Sequence, residues 1–516
     1  MNGAESLVRT LIAGGIEVSF ANPGTSEMHF VAALDKIAGM RCVLCLHETV
    51  TTGAADGYYR MADKPASTLL HLGPGLANGL ANLHNLKRAR SGVVNIVGEH
   101  ATYHLRYDAL LTSDIQGIAG TMSHWVRTAS PDTSVAADGA EAIHVASQPP
   151  GQVATLILPA NVAWSKADGP VQTKPAPAPA IVADAAIEAA AKAFAAGGQV
   201  LVMLGTRALR EEALLHAGKI AAKTGARLSA EGSNARLQRG AGRVAVERMP
   251  YPVPIALEAN KGVTHIVLVG AKAPVAFFAY PGKPSLLYPP EAEVITLAAP
   301  GDDVRDALER LAERLGATKT PPVLNTRQHP QSGGSVLNPQ TIGAVLCNLL
   351  PDQAIVADES VSTGRAFFKD THGAAPHDWL SLTGGAIGEG LPLAVGAAIA
   401  CPDRKVVALQ ADGSAMYSLQ ALWTIARERL DVTVCIWANR AYAILKGELA
   451  GVGVEKAGIV AQEMLSLADP PLDWVDLAKG MGVEGARVTS VEEFSKLFSA
   501  ATRQKGPFLI EVDLSA

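Results

Sequence analysis

At 516 residues the chain is too long for one hydrophobic core, and its length suggests about three domains of ordinary size. Hydrophobic residues make up 48% and charged residues 18%, a balance typical of soluble globular proteins. The formal net charge of −5 gives no electrostatic reason to expect nucleic acid or an anionic membrane as partner.

The segment Met1 to Ile12 spaces Leu7, Leu11 and Ile12 as a helix does and lacks the basic start and apolar run of a signal peptide. The longest apolar stretch, Leu391 to Ala400, is far short of the roughly 20 residues that span a bilayer. A cytoplasmic protein without membrane contact is expected. Cys42 and Cys45 sit three apart on an expected strand, so they point to opposite faces and are read as buried structural thiols. No second pair completes a zinc site.

Short β-rich runs then alternate with helical patterns along the chain: Gly198–Gly205, Thr264–Gly270, Lys405–Gln410 and Val432–Trp437 are examples. Continuous apolar strands followed by helices imply parallel sheets covered on both faces. Two Pro-rich stretches interrupt this pattern, one with the run Thr173-Lys-Pro-Ala-Pro-Ala-Pro-Ala and one with Pro321, Pro322 and Pro330. The expected architecture is α/β, three doubly wound parallel-sheet domains in series. They cover 1–165, 186–318 and 338–516, with linkers at 166–185 and 319–337.

The strongest chemical signal lies in the third segment. Asp412 and Asn439 are 27 positions apart, each just past the carboxyl end of an expected strand. Adjacent parallel strands bring such residues together at the sheet edge where α/β folds bind ligands. A carboxylate, an amide oxygen and a backbone carbonyl form a hard-oxygen site suited to Mg²⁺ beside a phosphate. Gly413 and Ser414 add donors for that phosphate.

Asp412-Gly413-Ser414 followed after this interval by Asn439 resembles the thiamine-diphosphate motif of the superfamily of acetolactate synthase, benzoylformate decarboxylase and pyruvate decarboxylase. The departures are Ala411 where a Gly is usual and Ala438 where an Asn is usual. The resemblance covers the whole chain and implies pyrimidine-binding, middle and diphosphate-binding domains. It implies Mg²⁺ on Asp412, Asn439 and the main-chain carbonyl of Ala441, with Ser414 and Tyr442 near the diphosphate. Leu382-Thr-Gly-Gly-Ala-Ile-Gly-Glu-Gly-Leu-Pro392 resembles the family's Gly-rich turn, in which Gly385 approaches the cofactor and Ile387 wedges beneath it. Asp358 to Thr363 resembles another diphosphate segment, with Ser362 facing the cofactor.

In the first segment, Glu48 through Ala55-Asp56-Gly57-Tyr58 resembles the catalytic glutamate and its helix, which handles a proton on the cofactor's aminopyrimidine ring. Asn22-Pro-Gly-Thr25 resembles a substrate-facing turn, with Thr25 as its hydroxyl. Leu69 to Asn78 resembles acetolactate synthase in its Gly73-Pro-Gly75-x-x-Asn78, where Gly75 and Asn78 approach the cofactor. Its His71 is similar to the active-site histidine of benzoylformate decarboxylase. The run Ala273 to Tyr280 carries no histidine, which leaves His71 as the expected sole imidazole at the substrate, with Phe277 and Phe278 drying the pocket.

The implied function is thiamine-diphosphate- and Mg²⁺-dependent decarboxylation of a 2-oxo acid, followed by acetolactate-synthase-like ligation of the remainder to an acceptor carbonyl. The alternative is a plain 2-oxo acid decarboxylase of benzoylformate decarboxylase type. The resemblance further implies a homodimer or homotetramer with the active site at the subunit interface. FAD is not expected in the middle domain, which shows no clear phosphate-cradling loop, although the reading leaves it open. Gly73-x-Gly75-x-x-x-Gly79 also fits a dinucleotide fingerprint, but no acidic residue follows at a strand end about 20 positions on. A catalytically silent paralogue is disfavoured by the joint presence of Glu48, Asp412 and Asn439.

Overall fold

The computed structural model describes residues 1–454 and 456–514. Three sheets follow one another along the chain. The first has six strands in the order Arg41–Leu44, Val18–Ala21, Ala66–Leu70, Val93–Glu99, Val153–Pro159 and Trp125–Thr128, all parallel. The second is a parallel sheet of five, with Gln199–Leu204 at its centre between Arg227–Ala230 and Val263–Val269. The third has seven strands and is built around Val406–Ala411, which lies between Ala354–Glu359 and Val432–Ala438. Every residue of Val153–Pro159, Val406–Ala411 and Val432–Ala438 is buried, as sheets covered by helices on both faces require.

One strand crosses between segments. Leu237–Arg239, in the middle of the chain, pairs antiparallel with His377–Ser381 and closes one edge of the third sheet. Three residues carry too little periodicity to announce a strand, and the pairing covers an otherwise open edge. Near the other end of the chain Cys45 is buried as expected, whereas Cys42 is exposed because Arg41–Leu44 is the outermost strand of its sheet. Among the described residues no helix is long and apolar enough to cross a membrane.

The first and third sheets meet through two helices, Glu48–Ala62 and Gly390–Ala400. They touch backbone to backbone: a Cβ on Gly396 would stand 1.9 Å from the Ala54 carbonyl oxygen. Arg60 locks this contact. Its guanidinium lies 2.6 Å from both Asp56 and Glu389, and it donates to the Ser381 carbonyl and to Thr383 Oγ1. All three charged side chains are at most 1% exposed. Removing the cation strands two buried carboxylates, so Arg60→Met should cost about 3–5 kcal/mol. The measurement is the urea midpoint of unfolding, and an unchanged midpoint would show that the triad holds nothing together.

Candidate active site

Three neighbouring strands of the first sheet end on one edge, and the residues just beyond them meet there. The register pairs Ala21 with Leu69 and Leu70 with Val97, which aligns the turns at Gly24–Glu27, His71 and Gly98–His100. Glu27 is 2% exposed; its Oε2 accepts the Gly24 N–H at 2.7 Å and faces His71 Nδ1 at 2.8 Å. Its Oε1 accepts the Ser26 hydroxyl at 2.7 Å. A Cβ on Gly98 would fall 1.6 Å from that oxygen, so this position must be bare for Glu27 to reach the histidine. With Nδ1 engaged, Nε2 is the His71 nitrogen left for a ligand. Thr25 is exposed at the start of a short 3₁₀ turn, and it is Ser26 whose hydroxyl faces His71, at 3.4 Å. Leu72, directly after His71, has φ +49°, a left-handed backbone that a bulky residue adopts only under constraint.

His71 is not the sole imidazole at this edge. His100 follows the Val93–Glu99 strand, and its ring centroid lies 5.7 Å from that of His104. Sequence reasoning confined to residues near known motifs passed over both, because only strand pairing brings position 100 beside position 71.

Glu48 opens the Glu48–Ala62 helix and is 7% exposed. Its Oε2 accepts from the Asn78 side chain at 3.1 Å, and Gly75 leaves the space beside Oε1 that a Cβ would narrow to 3.0 Å. One turn on, the Asn82 amide donates to the Thr49 carbonyl at 2.8 Å and to the Gly388 carbonyl at 3.2 Å. This sets the Gly-rich turn beside the start of the Glu48 helix. Asn85 adds a second clasp, donating to the Ala386 carbonyl and accepting its N–H. Asn78, Asn82 and Asn85 fall at i, i+4 and i+7, a polar stripe at helical spacing that was the available signal for the two missed amides.

The Gly-rich turn is shaped from beneath by Glu359. This carboxyl is 2% exposed and accepts the N–H groups of Gly388 at 2.7 Å and Gly390 at 2.8 Å. Burial pushes its pKa up to about 7 against the pull of those donors. Gly388 has φ +96° and Gly385 φ +80°; a Cβ on Gly385 would meet the Phe277 ring at 2.6 Å. Ile387 is half-buried between them.

Asp412 and Asn439 stand just beyond paired strands whose register joins Ala411 to Trp437. Asp412 is 2% exposed and accepts the N–H groups of Gly413 at 2.8 Å and Arg440 at 2.7 Å. Burial raises its pKa, while those donors oppose the shift. Asn439 donates to Thr363 Oγ1 at 3.3 Å, and its carbonyl oxygen accepts the Ala441 N–H. Ser414 Oγ lies 3.1 Å from the Ala411 carbonyl and 3.5 Å from that of Glu359, so this loop abuts the floor of the Gly-rich turn. A Cβ on Gly413 would strike the Tyr442 ring at 2.6 Å. Ser362, next to Val361 with φ +48°, lines a cavity of about 340 Å³ together with Ala443 and Ile444.

Comparison with known proteins bears on this arrangement. The family described as thiamine pyrophosphate enzyme, N-terminal TPP binding domain, matches residues 1–122, and its C-terminal counterpart matches residues 366–512. The chain is 50% identical over 513 residues to a Mycobacterium tuberculosis protein provisionally named acetolactate synthase large subunit IlvX, covering 99% of each. It belongs to the thiamine-pyrophosphate enzymes. Benzoylformate decarboxylase of Pseudomonas aeruginosa is 28% identical, with 96% of each chain covered. The structure of a Rhodococcus jostii RHA1 thiamine diphosphate-dependent 4-hydroxybenzoylformate decarboxylase superposes with a TM-score of 0.86 at 26% identity, covering 99% of each. The chain is thus a thiamine-pyrophosphate-dependent enzyme of the acetolactate synthase and benzoylformate decarboxylase type.

The residues present fit the cofactor and a divalent cation. Asp412 is a buried carboxylate that forms no ion pair among the described residues; the Arg440 guanidinium nearby acts to lower its pKa but pairs with Asp513. No described backbone N–H donates to the Ala441 carbonyl. Among the described residues no group of three His, Cys, Asp or Glu forms a metal cluster, which leaves the mixed carboxylate, amide and carbonyl set. Such hard oxygens suit Mg²⁺ better than a softer metal. The bare Gly413, the Ser414 hydroxyl and the left-handed Gly385 and Gly388 provide the close approach that a diphosphate and a bent cofactor need.

Proposed function

We propose that the enzyme removes CO₂ from a 2-oxo acid with thiamine diphosphate and Mg²⁺, and joins the remaining fragment to an acceptor carbonyl. The observation that carries this reading is the Asn82 clasp. It ties the start of the helix opened by Glu48, a carboxyl able to hold or move a proton, to the turn that bears Ile387. Bound thiamine diphosphate supplies the carbon nucleophile and the electron sink.

In this reading Asp412, Asn439 and the Ala441 carbonyl hold Mg²⁺. Gly413, Ser414, Tyr442 and Ser362 surround the diphosphate, and Gly385 with Ile387 supports the rings. Gly75 and Asn78 shape the site around Glu48, Asn78 by holding its carboxylate. His71, fixed by Glu27, presents Nε2 to the substrate, with the Thr25–Ser26 turn at its side.

We further infer that a second copy of the chain completes the site. Leu445, Ile459, Val460 and Met464, close after the Asn439–Tyr442 motif, are 46%, 75%, 70% and 74% exposed. Leu46, Tyr107 and Leu110, around the Glu48 and His71 edge, are 43%, 63% and 103% exposed. Two such apolar rims around one site favour mutual coverage of the first and third domains in a dimer or tetramer.

A plain decarboxylase is the second reading. The cluster of imidazoles at the His71 edge favours it, since proton delivery releases an aldehyde. Incubation with pyruvate and several bulkier 2-oxo acids, with and without an acceptor aldehyde, separates the two. Ligated 2-hydroxy ketone or acetolactate-type product is expected beside free aldehyde. Aldehyde as the sole product from every acid would leave the decarboxylase.

A further inference from the structure

We propose that His100 is a second catalytic imidazole of this enzyme, the group that carries a proton to the carbon from which CO₂ departs. The inference rests on the decarboxylation reading above and adds to it the residue that decides the product.

Position is the first argument. Leu70 pairs with Val97 in parallel register, so His71 and Gly98 come level at the carboxyl edge, with His100 just beyond. Ligands of α/β sheets bind at this edge. Gly98 contributes no side chain because Glu27 fills its space, which leaves His100 as the first side chain beyond Glu99 able to face the substrate.

The second argument is a missing partner. His100 Nε2 is buried and makes no hydrogen bond to the protein, whereas His71 Nδ1 is held by Glu27. A buried ring nitrogen without a partner is costly, so such atoms mark places where a ligand or water completes the bond. The titratable groups that act on the His100 ring are His104 from the following loop, 5.7 Å away between ring centroids, and His71 from the neighbouring turn, while Glu99 accepts the His100 backbone N–H.

Those neighbours also explain how the proton would be timed. Burial first, then the positive charges available to His104 and His71, holds the His100 pKa below the usual imidazole value. The ring is therefore neutral near pH 7 until an anion arrives. A 2-oxo acid carboxylate beside it offsets these effects and draws a proton onto Nε2. When the carbon–carbon bond breaks, its electron pair stays on the former carbonyl carbon and CO₂ leaves uncharged. The anion that stabilised the imidazolium is gone, so the proton passes from Nε2 to that carbon and forms the C–H bond. His100 returns to the neutral state and solvent restores its proton in the next cycle. An acceptor carbonyl competes for the same carbon, so His100 sets the ratio of aldehyde to ligated product.

The test uses holoenzyme carrying ¹³C at histidine Cε1, loaded with thiamine diphosphate and Mg²⁺. Mandelate and lactate serve as probes, since each presents a carboxylate but cannot lose CO₂ by this route. His100→Gln identifies the resonance among the thirteen histidines, with His100→Asn as the second choice should the first fail to fold. The His100 midpoint should rise by about one pH unit with a probe bound, a tenfold change in protonation. A midpoint that does not move with either probe overturns the proposal. In product assays the variants should raise the ratio of ligated product to free aldehyde about tenfold, near the low end for a lost acid–base group. A wild-type ratio in both variants also overturns it. Absence of CO₂ release by wild-type enzyme from every 2-oxo acid would count against the decarboxylation reading instead, while the NMR midpoint judges His100 without turnover.

Discussion

Asp412→Ala should abolish measurable binding of thiamine diphosphate in calorimetric titrations with Mg²⁺, a loss of at least about 100-fold in affinity. Asp412 is the one anionic side chain in the proposed cation site, and its cation would face the two charged phosphates of the cofactor. Amide and carbonyl oxygens alone hold a hydrated divalent ion weakly. The substitution also removes the acceptor for the Gly413 and Arg440 N–H groups, which fixes the loop containing Asn439 and Ala441. Asp412→Asn separates these effects, because an amide oxygen retains one of the two loop bonds but brings no charge. Both variants should lose the cofactor, and Asn should preserve the thermal midpoint of the apo protein better than Ala. Wild-type affinity in Asp412→Ala would remove the cation site and the residue roles built on it.

The fold and the two ends of the site were legible in sequence for different reasons. Val406–Ala411 and Val432–Ala438 are continuous apolar strands, and such strands in a parallel sheet define where the next loop must emerge. Asp412 and Asn439 follow from that with no knowledge of side-chain partners. Glu27 was hidden because its partner His71 lies 44 positions away and the two meet only through strand register. The choice between Thr25 and Ser26 turned on the phase of a three-residue 3₁₀ turn, which no periodicity encodes. Asn82 and Asn85 were visible as a stripe, but a stripe of amides does not say which backbone it will meet. Leu237–Arg239 joins the sheet of another segment, and so short a strand is set by the edge it covers rather than by its own residues.

Glu48→Gln should leave cofactor affinity within a few-fold of wild type yet slow proton exchange at the cofactor's thiazolium C2 by roughly 10²–10⁴-fold. Glutamine keeps the shape that Gly75 accommodates, and its carbonyl oxygen still accepts from Asn78. The helix start therefore persists, along with the Asn82 clasp that positions the Gly-rich turn. What disappears is a group able to take up and return a proton, the one property an amide lacks. Deuterium exchange at C2 of the bound cofactor, quenched with acid and read by NMR, measures that property without any substrate. It is consequently blind to His71 and His100, whose proposed work begins only when a 2-oxo acid is present. A structural role for Glu48 predicts the opposite pattern, with weakened binding and wild-type exchange in whatever fraction remains bound. Slow exchange at normal affinity is compatible only with a carboxyl that handles the proton itself.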